Sequence, residues 1–292
     1  MTEGKKALEE ALGRHLAKLC VEIGPRSTLQ PDALAEARRY IRTAFEGAGL
    51  DVTEQDYSYL RQSVANVIAT PRESATAPAY YVVGAHYDTV PQTPGADDNA
   101  SAVAVLIELG RRLAERGAPA PVRLVAFTLE EPPSYMTRHQ GSRVFVRELR
   151  GSGERVLGAV VLEMVGYTTP KQHYPWFLRW AGYPREGNFI GIVGNWGSRP
   201  FGETVLGGFR RNPALPVESL FVPFNGWVVP ATRFSDHASF WDRGLPAVMV
   251  TDTAFFRNHN YHAPSDTPDT LDLSFMAELV TSLELALAEL AA

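Results

Sequence analysis

The sequence predicts an α/β domain in which a largely parallel sheet is covered by helices on both faces. Three observations carry that prediction. Short apolar runs such as Ala79 to Ala85, Val122 to Thr128 and Pro246 to Thr251 alternate with segments of helical spacing. Those runs lack the polar alternation of a half-exposed sheet, as strands buried on both faces do. No repeat, low-complexity segment or polar linker divides the chain, so residues 1–292 read as one catalytic domain.

The elements follow in order. Leu8, Leu12, Leu16 and Leu19 recur at helical intervals between Glu3 and Ile23, and Pro25 follows the break. A second helix opens near Pro31 and closes near Gly47, the favoured places for these two residues. Strands are expected over Asp51 to Tyr57, Val64 to Thr70 and Ala79 to Ala85, and then a helix from about Ser101 to Arg116. The strand VRLVAFT leads past a Pro-rich loop to a helix near Ser142 to Arg150. The strands LGAVVLE and PAVMVT and a final helix from Asp272 to Leu290 complete the pattern. Between Val165 and Arg233 regularity weakens. That stretch is rich in Gly, Pro and aromatics (Trp176, Phe177, Trp180, Tyr183, Phe189, Trp196, Phe201, Phe224, Trp227) and reads as loops packed over one end of the sheet.

Composition narrows the function. At 45% hydrophobic and 21% charged the chain has ample material for a core. A formal net charge of −5, with no run of Lys or Arg, argues against a nucleic-acid or anionic-membrane partner. A single cysteine, Cys20, allows no intrachain disulfide and suits a reducing compartment. The first twenty residues carry charge throughout and do not resemble a signal peptide, and no run approaches the ~18 apolar residues of a membrane span. The expectation is a cytoplasmic protein; its oligomeric state is left open.

In open α/β sheets, ligands collect beyond the carboxyl ends of the strands. That edge is where chemistry concentrates here. Ala79 to Ala85 ends in His86-Tyr87-Asp88, Val122 to Thr128 in Glu130-Glu131, and Leu157 to Leu162 in Glu163. Pro246 to Thr251 runs into a loop ending in Tyr261-His262, and GADDNAS precedes the helix after the first of these strands. Taken singly, each has an ordinary reading. His86-x-Asp88 suits a satisfied polar strand end, GADDNAS a helix-capping turn, and Glu130-Glu131 an exposed acidic pair. Taken together, two imidazoles and three or more carboxylates without a thiolate suit catalytic zinc or a related divalent ion. A shared carboxylate could set two such ions ~3.5–4 Å apart.

The segments HYDT (His86 to Thr89), GADDNAS (Gly95 to Ser101), LEE (Leu129 to Glu131), LEMVGY (Leu162 to Tyr167), SDHASF (Ser235 to Phe240) and NYHAPSDT (Asn260 to Thr267) resemble, in order, those of the two-zinc aminopeptidase family. That family also contains glutamate carboxypeptidase II and glutaminyl cyclase branches. The resemblance implies a single three-layer α/β/α domain with a mixed, largely parallel central sheet, the zinc-dependent exopeptidase or phosphorylase/hydrolase-like class. It implies two Zn2+ per chain: His86 and Glu163 on one ion, Glu131 and His262 on the other, and Asp98 bridging both. Glu130 becomes the general base that takes a proton from metal-bridging water, and Asp88 supports His86. A cis peptide at Asp98-Asn99 and a place for Ser235-Asp236-His237 in or behind the pocket are also implied. Ser235 as a helix N-cap is the alternative.

The chain departs from the family pattern in four places. Ala102 stands for the glycine of DNxSG, and Glu163 for a frequent aspartate. EPPSYMTRHQGS is about five residues longer than the compact EExGLxGS form. Thr232 stands where secreted members carry a tyrosine, which leaves the oxyanion donor without an obvious identity.

The resulting expectation is an aminopeptidase acting on a peptide or amino-acyl substrate, with the aromatic stretch walling an apolar pocket. The alternatives are a single-zinc glutaminyl cyclase-like transferase, a carboxypeptidase of the same family, or a non-catalytic binding module. A carboxypeptidase needs a cation for the terminal carboxylate. Arg138, Arg143, Arg233 and Arg257 are the cations near the motifs.

Overall fold

The computed structural model describes residues 3–174, 178 and 182–292. Helix α1 (Glu3–Leu16) continues through a wider helical turn, Ala17–Ile23, and is followed by α2 (Pro31–Gly47). Strands β1 (Asp51–Tyr59) and β2 (Gln62–Thr70) form a hairpin that turns through Leu60 and Arg61. Both turn residues are left-handed, at φ 47° and 67°, the two-residue geometry that matches strand twist. Then come β3 (Ala79–His86), α3 (Ala102–Arg116), β4 (Val122–Phe127), α4 (Gly141–Glu148) and β5 (Arg155–Glu163). The C-terminal part supplies β6 (Ile190–Asn195), α5 (Arg199–Arg210), β7 (Val217–Val222), α6 (His237–Trp241), β8 (Ala247–Thr251) and α7 (Leu273–Leu290).

The eight strands make one mixed sheet in the order β1-β2-β4-β3-β5-β8-β6-β7. Its centre, β4-β3-β5-β8, is parallel, so four carboxyl ends meet at one edge. β1 and β2 join it antiparallel on one side, and β6 runs antiparallel to β8 on the other. Successive strand residues serve opposite faces. Val83, Leu124, Val160 and Val250 pack with Leu12, Ile41, Leu106, Phe209 and Leu283, which places α1, α2, α3, α5 and α7 on one face. Val82, Val125 and Val161 pack with Phe145, Phe240 and Trp241, which places α4 and α6 on the other. This is the expected three-layer arrangement.

The stretch read as loops, residues 165–233, is where expectation and structure part. It contributes β6, α5 and β7, one whole side of the sheet. Glycines that looked like breaks are points of close approach. A Cβ on Gly208 would stand 2.4 Å from the Cα of Ala286, and one on Gly202 2.6 Å from the Phe221 ring. These residues let α5 sit directly on α7 and β7. Trp176, Phe177 and Trp180, counted with that stretch, lie outside the described residues.

Candidate metal centre

The parallel strands deliver the predicted residues to a common point. His86 is the last residue of β3 and Glu163 the last of β5. Glu130 and Glu131 follow β4, and His262 ends the loop after β8. Three of these turns are made by non-glycine residues held left-handed: Leu129 (φ 57°) before the Glu pair, Met164 (φ 48°) after Glu163, and His262 itself (φ 57°). Such backbone is uncommon for L-residues and concentrates where side chains must be aimed.

Two triads result, and they share one residue. His86 Nε2 lies 3.4 Å from Asp98 Oδ1 and 3.4 Å from Glu163 Oε2. His262 Nε2 lies 3.1 Å from Asp98 Oδ2 and 3.3 Å from Glu131 Oε1. His86-Asp98-Glu163 and Asp98-Glu131-His262 each present atoms close enough to hold one metal ion. Four buried atoms in these triads, His86 Nε2, Asp98 Oδ2, Glu131 Oε1 and His262 Nε2, form no hydrogen bond despite their proximity. Buried polar atoms without partners are costly, and a divalent cation in each triad would satisfy all four. The donor set, imidazole and carboxylate with no thiolate, fits zinc.

Electrostatics point the same way. Burial pushes the Glu131 carboxyl up to about 8, with the field of Asp98 adding to it. Glu130 is raised well above its ordinary range by burial and by the Glu163 and Glu131 charges, against the field of His86. The protein groups alone disfavour the ionised form of these acids, whereas a cation would reverse the balance.

A further layer holds this constellation. Asp88 accepts the backbone N–H of Glu130 through Oδ1 at 3.1 Å and that of Glu131 through Oδ2 at 3.0 Å. Its own backbone carbonyl lies 3.1 Å from His86 Nδ1, while its carboxylate stands 3.6 Å from that nitrogen. Asp88 therefore positions the Glu pair with its side chain and His86 with its main chain. The Asp98-Asn99 peptide is cis, as the resemblance implies. The Asn99 amide donates to Leu162 O and accepts from Met164 N, both at 3.0 Å, bracketing Glu163. Ser235 is no helix cap: its Oγ donates to Glu163 Oε2 at 2.7 Å. Behind it, Asp236 accepts from Gln140 Nε2 at 2.9 Å, and His237 Nε2 lies 2.8 Å from Thr232 O. Thr232 Oγ1 donates to Val229 O at 2.7 Å, within its own turn.

Two positioning residues escaped the sequence reading. Asp266 accepts the N–H groups of Asp97 and Asp98 at 2.9 and 3.1 Å, the counterpart of Asp88 on the Glu pair. Its place in SDT, four residues past His262, was the available signal. Arg26 is fully buried and donates to the carbonyls of Tyr87, Leu19, Gly24, Pro94 and Gly95, tying both ends of the 87–95 loop to the first helix. Nothing in its local sequence marks it.

Three of the four arginines near the motifs are committed elsewhere. Arg257 donates to Gln172 Oε1, Tyr167 O and Phe189 O and lies over the Phe189 ring. Arg233 donates to Asn225 O and Asp242 Oδ1, and Arg143 to Asp242 Oδ2. Arg138 is exposed. Beside Glu163 opens an apolar cavity lined by Phe189, Leu220, Met249, Phe234, Phe255 and others. Of the aromatic stretch, Tyr183 and Phe189 line it. Trp196, Phe224 and Trp227 instead point to solvent, and Phe201 stacks on Tyr81. No described helix is long and apolar enough to cross a membrane.

Residues 66–285 match the model of "Peptidase family M28". The chain is 36% identical over 288 residues to the uncharacterized protein YfbL of Escherichia coli (strain K12), covering 94% of this chain and 86% of that one. BSAP, a zinc aminopeptidase from Bacillus subtilis, superposes with a TM-score of 0.74 at 16% identity, over 95% of this chain and 93% of that chain. The glutaminyl cyclase of Tannerella forsythia does so with a TM-score of 0.69 at 15% identity, over 99% of each chain. At such identities the two structures speak for the fold they share with this chain.

Proposed function

The chain belongs to peptidase family M28 and is a zinc metallopeptidase; on that premise we propose that it is an aminopeptidase, one catalytic domain over residues 1–292, that holds two zinc ions. His86, Asp98 and Glu163 hold one ion, and Asp98, Glu131 and His262 the other. The observation that carries this reading is the pair of triads joined at Asp98, with four buried atoms left unpartnered. When bound, zinc supplies Lewis acidity that polarises the scissile carbonyl and makes water acidic near neutral pH.

The chain's own residues do the rest. Glu130, buried beside the triads and fixed through its backbone by Asp88, takes the proton of the attacking water and passes it to the leaving amine. Ser235 and Asn99 keep Glu163 in place. The concentration of carboxylates suits a free α-ammonium, and the commitment of Arg233 and Arg257 to other partners disfavours capture of a C-terminal carboxylate.

The test combines metal analysis with a peptide panel. Zinc near two per chain is expected, with cleavage of a free N-terminal residue that N-acetylation abolishes and C-terminal amidation leaves nearly unchanged. Loss of cleavage on amidation would assign a carboxypeptidase. One zinc per chain with cyclisation of N-terminal glutamine would assign a cyclase.

A further inference from the structure

The cavity beside Glu163 runs along the sheet, and strand register defines its axis. Glu163 on β5 pairs with Thr251 on β8, Thr251 with Gly191 on β6, and Gly191 with Glu218 on β7. Directly paired residues point to the same face, so these four form one row, and all four line the cavity. Three strand spacings of about 4.8 Å carry the row about 14 Å from the triads to Glu218. Gly191, in the middle, contributes no side chain, and a Cβ there would meet nothing nearer than 3.5 Å. Between the two carboxylates the row therefore carries only the small side chain of Thr251.

Leu220, Met249 and Phe189 make the walls apolar. Among the described lining residues, Glu163 and Glu218 are the charged ones. Glu163 belongs to the triads, and among the described residues Glu218 forms no ion pair; the charge of Arg210, exposed on α5, acts on it. Partial burial raises the Glu218 carboxyl above its usual range, against the charge of Arg210.

We propose that Glu218 is a specificity-determining residue that selects N-terminal lysine or arginine over neutral residues of similar length. A lysine side chain, with bonds of about 1.5 Å, reaches about 6 Å from its Cα. The scissile carbonyl at one end, and the Glu218 side chain with a contact of about 2.8 Å at the other, span the remainder. The methylene stem packs on Leu220 and Met249 while the ammonium meets the carboxylate, as amphipathic side chains do. This rests on the aminopeptidase reading, because it seats the substrate's first residue beside Glu163.

Two measurements on the zinc-loaded protein test it. First, kcat/KM is determined for the amides of lysine, arginine, leucine and norleucine, the last keeping a straight stem without the charge. Lysine is expected to exceed norleucine by about tenfold, and Glu218→Gln to erase that margin mainly through KM, with norleucine changed less than about twofold and the melting temperature unmoved. Second, the hydroxamates of lysine and norleucine are titrated calorimetrically, with the same Glu218-dependent preference expected. A lysine-to-norleucine ratio unaltered by Glu218→Gln in both measurements overturns the proposal. If no amide is hydrolysed yet lysine hydroxamate binds in a Glu218-dependent way, the pocket assignment stands and the aminopeptidase reading falls.

Discussion

Asp266 and Asp98 meet through the main chain: Oδ2 of Asp266 accepts the backbone N–H of Asp98 at 3.1 Å, and its Oδ1 takes the N–H of Asp97. One buried carboxylate thus fixes the segment whose side chain both triads share. Asp266→Ala removes both acceptors and should weaken zinc retention by roughly 10–100-fold, the usual scale for a supporting partner. Competition with a chelator measures it. Unchanged zinc affinity in a folded variant would show that Asp98 is held without this contact.

Glu130→Gln should keep zinc content near normal while hydrolysis falls by at least about 10²-fold, as for loss of a general base. The amide preserves shape, and the backbone bond to Asp88 is unaffected. Loss of zinc, or full activity, would show the role to be wrongly assigned.

Asp98→Ala should be the most damaging single change, because Asp98 stands in both triads. His86→Ala removes a member of one triad and should weaken one ion preferentially. Metal analysis of the two variants decides this; two tightly held ions in the Asp98 variant would refute the shared role.

Cys20 gives a prediction independent of the metal centre. Its thiol is buried with Sγ 3.9 Å from Gly95 O, and burial pushes its pKa up to about 11, above the ~8.5 of a free thiol. At pH 8 the native thiol should react with a disulfide reagent roughly 100-fold more slowly than in the unfolded chain. The linkage has a definite sign. The folded state keeps its proton where the unfolded state has lost it, so this contribution to stability is full below about pH 8.5 and is lost as pH rises towards 11. Chemical denaturation of wild type and Cys20→Ala across pH 8–11 tests this: the wild type should lose stability faster. Parallel curves, or rapid labelling of the native thiol, would contradict it.

The sequence by itself determined the parallel centre of the sheet and the residues at its edge. Apolar strands β3, β4, β5 and β8 end in His86, Glu130-Glu131, Glu163 and the His262 loop, and strand-end position is a local property. Local pattern did not reveal β6, α5 and β7, because Gly202 and Gly208 act through what lies opposite them: Phe221 and Ala286. Nor did it reveal Arg26, whose five acceptors come from segments up to 69 residues away. Tertiary structure alone decided that Ser235 touches Glu163 rather than capping a helix, that Arg257 is spent on Gln172, Tyr167 and Phe189, and that Glu218 shares a row with Glu163. The physical reason is common to all of these. Hydrogen bonds, close approaches and cross-strand neighbours join residues far apart in the chain, and the pattern around each residue carries no record of what the fold brings to face it.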